Sequence, residues 1–203
     1  MPPTITLDAA ASPEAKRHLD AMLRALQDAL RKPPRWEAAR DDVERAFLAY
    51  EAYIAHVVSR HPMSCRETCT ACCHDNPRGV SGVELRRLQE SILSRPGAGS
   101  TMMRFAQLAT QRGDPSTWRA RGVPCPLLKD GRCSAYVARP VACRAFFALT
   151  PPEWCSPGHE RHGERLNPHL EPPAVLVQAL RVLSDRLGLA NADDLHSGMA
   201  RLG

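Results

Sequence analysis

The first third of the chain carries apolar side chains at helical spacing. Ser12 followed by Pro13 is typical of a helix start, because serine caps helix N-termini and proline is tolerated at the first helical position. Pro33-Pro34 then ends the helix. Between these points one apolar stripe repeats at four-three-four spacing. Its members are Leu19, Leu23, Leu26 and Leu30.

A second apolar stripe predicts a helix from about Trp36 to His61. The buried face of this helix is expected to consist of Val43, Phe47, Tyr50, Ile54 and Val57. The two helices are expected to form an antiparallel hairpin within residues 1–62. Their stripes are interpreted as core, because no cofactor motif accompanies them.

Helical signals return after residue 80. Ser81 and Glu84 have the spacing of a capping box, and Val80 with Leu85 can form the accompanying hydrophobic contact. A break at residues 96–99 and a fourth helix at about 100–111 follow. The last part predicts a helix at about 173–187, striped by leucines, and a short final helix at about 191–202.

Residues 113–173 show no regular periodicity and are rich in proline. Lys129-Asp130-Gly131 predicts a tight turn within them. A long irregular stretch inside a compact domain needs another source of order, and a bound metal would supply it. The expected fold is therefore mainly α. Its segments are a helical hairpin (1–62), an irregular cysteine-rich metal-binding segment (63–172) and C-terminal helices (173–203) that pack on the same core.

The composition narrows the function classes. Of the 203 residues, 43% are hydrophobic, so a core can form without disulfide bonds. The start of the sequence has no secretory-signal pattern, and no apolar run is long enough to cross a bilayer. A cytoplasmic location and no membrane partner are therefore expected. The formal charge is +5, but the arginines are scattered and aromatic residues are few, so no nucleic-acid partner is expected.

Eight cysteines carry the candidate chemistry. Four lie within nine residues, and the other four lie downstream. They are Cys65, Cys69, Cys72, Cys73, Cys125, Cys133, Cys143 and Cys155. Clustered thiols bind metal, form disulfides or run redox chemistry, and a reducing compartment favours metal. Thiolates bind zinc or the irons of an iron–sulfur cluster, usually four at a time, so the eight residues allow one or two sites. One member of the adjacent pair Cys72-Cys73 can instead be a buried apolar residue.

The cysteine pattern resembles a known family. The first part reads Cys65-x3-Cys69-x2-Cys72-Cys73, and the second runs from Cys125-Pro-Leu-Leu through Gly-Arg-Cys133 to Arg-Pro-Val-Ala-Cys143-Arg-Ala-Phe. Together they resemble the YkgJ-like cysteine-cluster proteins, which are described as zinc- or iron-chelating. The resemblance implies a metal site made by the seven cysteines from Cys65 to Cys143. A similar pattern occurs in flagellin lysine N-methylases, but this chain is much shorter, so methyl transfer is not expected.

Three further residue types surround this motif. Arg139 and Arg144 flank Cys143, and a guanidinium there can donate hydrogen bonds to a thiolate, although both can equally be ordinary surface arginines. Cys155 lies beyond the recognisable motif. His159 follows it and could complete a mixed Cys/His site, although most histidines are expected to be surface residues.

These observations predict a metal-binding protein that holds an iron–sulfur cluster or zinc, for electron transfer or metal handling. Two alternatives stay open. The protein could be an enzyme that uses the centre for redox or group-transfer chemistry, or a structural zinc protein that mediates contacts with an unidentified protein partner. No catalytic residue stands out, and thiolates alone do not distinguish zinc from iron.

Overall fold

The computed structural model describes residues 12–61, 63–65, 69–111, 122–156, 158–161 and 174–203. The chain is mainly α-helical in these ranges, as predicted. The helices are α1 (Pro13–Arg31), α2 (Trp36–Ser59), α3 (Gly82–Leu93), α4 (Ala98–Thr110), α5 (Val141–Arg144), α6 (Ala174–Arg186) and α7 (Leu195–Ala200). The strands are β1 (Arg78–Val80), β2 (Leu128–Lys129), β3 (Arg132–Cys133) and β4 (Ala192–Asp194).

Helices α1 and α2 form the expected hairpin and pack along each other. The Ser12 hydroxyl accepts a hydrogen bond from the Ala15 N–H over 3.0 Å, which is the predicted cap. The buried face of α1 is centred on Met22 and Leu26 with small alanines beside them. The other leucines of the predicted stripe lie at the edge of this face, because the alanines let α2 approach more closely there.

Helix α3 begins with the predicted capping box. The Ser81 hydroxyl accepts from the Glu84 N–H, and the Glu84 carboxylate accepts from the Ser81 N–H over 2.8 Å. Val83 packs with the α1–α2 hairpin, whereas Leu85 and Leu88 pack with the C-terminal helix α7 and its surroundings. Helix α3 thus joins the two apolar cores.

Strands β1 and β4 pair antiparallel, with Arg78 opposite Asp194 and Val80 opposite Ala192. This ladder was not predicted, because three residues are too few to show an alternating pattern. Residues 192–194 were expected to be helical, and the structure starts the helix only after Asp194, whose carboxylate caps it by accepting from the Ser197 N–H over 2.9 Å. The ladder ties this late segment to the residues that follow the first cysteines.

Strands β2 and β3 form the hairpin that the Lys129-Asp130-Gly131 turn predicted. Asp130 and Gly131 both have positive φ, 49° and 71°, which is typical of a two-residue hairpin turn.

Two clusters of buried apolar side chains form the interior of the described ranges. Helices α1 and α2, residues Val141 and Ala145, and α6 form the first cluster. The second consists of β1, α3, α4, the β2–β3 hairpin and α7. None of the helices in the described ranges is both long enough and apolar enough to cross a membrane.

Candidate metal centre

A cavity of about 830 Å³ lies where the two cores meet. Six of the eight cysteines line it, and they come from both parts of the predicted motif. These are Cys69, Cys72, Cys73, Cys125, Cys133 and Cys143. Folding therefore gathers both groups of thiols around one space.

A backbone hydrogen bond joins the two groups directly. The Cys125 N–H donates to the Cys73 carbonyl oxygen over 2.7 Å. Helices α3 and α4 form the excursion between these two residues.

The first group lies on a tight 3-10 turn at Ala71–His74. The turn is held by the Cys73 N–H donating to the Thr70 carbonyl over 2.8 Å and by the Asp75 N–H donating to the Cys72 carbonyl over 3.1 Å. Interaction with the Cys73 thiol and burial together raise the pKa of Cys72. Both adjacent cysteines line the cavity.

The second group is built around the β2–β3 hairpin. The Cys125 sulfur accepts a hydrogen bond from the backbone N–H of Leu127, and the Cys133 sulfur accepts one from that of Ala135. Each donor lies two residues after its cysteine. Backbone N–H groups that donate to sulfur stabilise the thiolate and are typical of metal-bound cysteine.

Cys143 is carried by the single turn α5. The N-terminus of this turn is fixed by Glu84, whose carboxylate accepts from the buried Val141 N–H over 2.7 Å. Burial raises the pKa of Glu84, and hydrogen bonds from Ser81 and Val141 oppose that shift. The start of α3 therefore positions the last cysteine of the motif.

Four of these thiols influence one another electrostatically. Burial raises the pKa of Cys125 to about 12, and the charges of Cys133 and Cys72 add to the shift. Burial also raises the pKa of Cys143, with further contributions from Cys125, Cys72 and Cys133. Mutual repulsion of this kind would be relieved by a cation among the sulfurs.

Arg139 provides positive charge beside these thiols. It lines the cavity, and its charge lowers the pKa of Cys72, Cys133 and Cys143 against the larger effects that raise them. The guanidinium stacks on the Tyr136 ring, 3.5 Å from its centroid, and Nε donates to the Tyr136 carbonyl over 3.1 Å. Arg139 therefore lies beside the thiols, where its charge favours their ionised forms.

Arg144 faces the other way. Its buried guanidinium pairs with Glu51 of α2 and donates to the carbonyl oxygens of Val137 and Arg139, the latter over 2.8 Å. Burial lowers the pKa of Arg144 to about 10. Arg144 is not among the residues that line the cavity, so its contacts hold the 137–144 segment against α2.

Cys65 and Cys155 are not among the residues that line the cavity, although the charges of Cys69 and Cys72 act on Cys65. The Cys65 sulfur accepts a hydrogen bond from the Ala148 N–H over 3.2 Å, and burial raises its pKa. Cys155 is buried on a 3-10 turn at Pro152–Cys155. His159 stacks against Trp154, with ring centroids 6.5 Å apart, and accepts at Nδ1 from the Arg161 N–H.

The donor set suits a soft metal, because it consists of thiols with backbone N–H groups directed at two of them. Within the described ranges, no three Cys, His, Asp or Glu side chains converge closely enough to hold a single ion. The six cysteines line a wide space.

Comparison with known proteins identifies the segment that carries these thiols. Residues 64–160 match the CxxCxxCC family model, described as a putative zinc- or iron-chelating domain. This confirms the predicted family resemblance. The match covers a little under half of the chain and includes all eight cysteines. No curated protein and no solved structure matches the chain.

The sequence did not reveal all residues of the site. Glu84 was predicted only as a helix cap, and its bond to the Cys143 turn depends on tertiary packing. Arg78 and Arg181 also line the cavity. Their positions depend on the β1–β4 ladder and on the docking of α6, for which the sequence held no recognisable signal.

Proposed function

We propose that the protein binds an iron–sulfur cluster in this cavity and serves in electron transfer or metal handling. The observation that carries the proposal is the lining of one cavity by six cysteines from two distant segments. The family match to a zinc- or iron-chelating domain supports the same class of ligand. An iron–sulfur cluster would supply one-electron redox chemistry, with a potential that depends on hydrogen bonds to sulfur, charge and exposure.

The cluster ligands in this proposal are Cys72, Cys125, Cys133 and Cys143. These four are favoured because the charges of the other three contribute to the raised pKa of Cys143. Cys69 and Cys73 line the same cavity and are the alternates. Arg139 offsets the negative charge of the bound thiolates.

Zinc is the second candidate, because thiolates bind both metals. A cluster is preferred to a single zinc because the six cysteines line a wide cavity that has room for several metal atoms.

Anaerobic purification followed by assays of iron, acid-labile sulfide and zinc tests the proposal. A brown protein with iron and sulfide is expected. Cys125→Ser and Cys143→Ser should lose the metal, whereas Cys155→Ser should retain it, because Cys155 does not line the cavity. Circular dichroism establishes that each variant is folded.

If the protein is colourless and contains stoichiometric zinc without sulfide, the metal at these thiols is zinc and not an iron–sulfur cluster. Folded, reduced, metal-free protein would refute metal binding. Full metal content in the Cys125 and Cys143 variants would refute the ligand assignment.

A further inference from the structure

The cavity is larger than a thiolate-bound metal requires. Zinc–sulfur bonds of about 2.3 Å enclose a sphere of about 50 Å³ around an ion. Even several such spheres leave much of the 830 Å³ for another occupant. Cavities of this size are typical of small-molecule sites, which span roughly 300–1,000 Å³.

The wall supplied by α6 and β1 has a different character from the thiol side. Val177, Leu180 and Arg181 share one face of α6, at the helical spacing of three and four, and all line the cavity. Arg78 and Val80 of β1 line it beside them. This wall combines apolar surface with two guanidinium groups.

Arg181 lies close to the backbone of β1, the strand that carries Arg78. The Arg181 Nη2 atom lies 3.7 Å from the place that a Cβ on Gly79 would occupy, and Gly79 follows Arg78 directly. Gly79 has a φ of 67°, a conformation that favours glycine. The Arg181 guanidinium therefore packs beside this strand at ordinary van der Waals distance.

Neither guanidinium has an ion pair or hydrogen bond with another side chain in the ranges that the structure describes. Both guanidinium groups are exposed, so a ligand from solvent can reach them.

We propose that the cavity also binds a small organic anion beside the thiols. Arg78 and Arg181 hold its oxyanion, a carboxylate or a phosphate, and its apolar part packs on Val177 and Leu180. Guanidinium groups suit this task because their donors match the oxygen geometry of both anions. The site uses residues outside the metal ligands and so goes beyond the proposed metal function.

Isothermal titration calorimetry on anaerobically purified protein tests the inference. The probes are benzoate and phenyl phosphate, which separate carboxylate from phosphate, and phenol, which has the apolar ring without either anion. Saturable millimolar binding of at least one anion, and much weaker binding of phenol, is expected. Arg181→Gln and Arg78→Gln should each weaken anion binding roughly tenfold or more, whereas Arg17→Gln, an exposed change on α1, should leave it unchanged.

Metal content is measured on the same samples, so that the two proposals fail separately. Equal metal in wild type and in both cavity variants, with anion binding lost only in those variants, supports the inference. No saturable binding of either anion would overturn it, whatever the metal content. Equal affinity in wild type and the Arg181 and Arg78 variants would overturn it as well.

Discussion

The backbone N–H of Cys125 donates a hydrogen bond to the backbone carbonyl oxygen of Cys73 over 2.7 Å. One residue ends the first group of thiols and the other begins the second. Because the bond involves only main-chain atoms, it leaves both sulfurs available to a metal. It also means that the two groups are brought together by the polypeptide itself and not by the metal alone.

Glu84→Ala should loosen the turn that carries Cys143. The change removes the acceptor of the buried Val141 N–H and half of the α3 capping box. A loss of about 2–4 kcal/mol in the free energy of unfolding is expected, together with reduced metal content. Urea unfolding and metal analysis measure the two effects.

Glu84→Gln is the matched control. Its amide oxygen can still accept one hydrogen bond, so an intermediate loss is expected. If Glu84→Ala matches the wild type in both measurements, the carboxylate does not position Cys143.

Arg139→Gln should weaken metal binding without unfolding the protein. The half-buried guanidinium lies among the thiols and favours their charged forms, which are the forms that bind metal. A decrease of about tenfold in metal affinity is expected, as for other groups behind metal ligands. Competition with a chromogenic chelator gives the affinity, and Arg17→Gln serves as the control. Unchanged affinity would leave Arg139 without a role at the centre.

Gly198→Ala should destabilise the contact of α7 with α3. An added Cβ would lie 2.7 Å from Leu85 Cδ1 and 2.8 Å from the Ala192 Cβ, and both neighbours are buried. Overpacking of this kind costs about 1–3 kcal/mol of unfolding free energy. Gly99→Ala on α4 is the control, since nothing lies within 4 Å and the helix should gain up to about 1 kcal/mol. Thermal unfolding compares the two, and equal stability in both variants contradicts the tight packing at Gly198.

His196 should make the protein less stable in mild acid. Burial lowers its pKa from 6.5 to about 4, and the charge of Asp194 opposes this only in part. The unfolded state therefore binds more protons than the folded state between these pH values, so stability decreases as pH falls from 6.5 towards 4. The expected loss between pH 7 and pH 5 is about 2 kcal/mol.

Urea unfolding at both pH values measures this effect in the wild type and in His196→Gln. The variant should lose less stability than the wild type over the same interval, whatever its stability at pH 7. An identical loss in both proteins would assign the acid sensitivity to other groups.

Local sequence signals predicted the helices well. Serine caps, prolines and apolar stripes depend on neighbours within one or two turns, so Ser12, Ser81 and the Asp130-Gly131 turn could be interpreted without tertiary structure. The leucine stripe of α1 was less accurate. The buried face is shifted towards Met22 because the choice of face depends on what packs against it.

The site was predicted as a set of cysteines with Arg139 and Arg144 beside them. The cysteine spacing indicated the resemblance to a metal-chelating domain, but it could not show that Cys65 and Cys155 are not among the cavity-lining residues. Nor could it separate the role of Arg139 from that of Arg144, since both flank Cys143 in the sequence. That separation depends on the Glu51 side chain of α2, which attracts the Arg144 guanidinium.

The late position of helices α6 and α7 in the sequence has a consequence for biosynthesis. Val177, Leu180 and Leu195 form part of the cavity wall, yet the ribosome makes them after every cysteine of the motif. A nascent chain that has just exposed its thiols therefore lacks the wall that would shelter them from oxygen. The order of translation leaves two times for metal insertion. Metal enters either before these residues cover the thiols, in an open and reactive precursor, or after the finished chain leaves the ribosome, through the opening of the cavity.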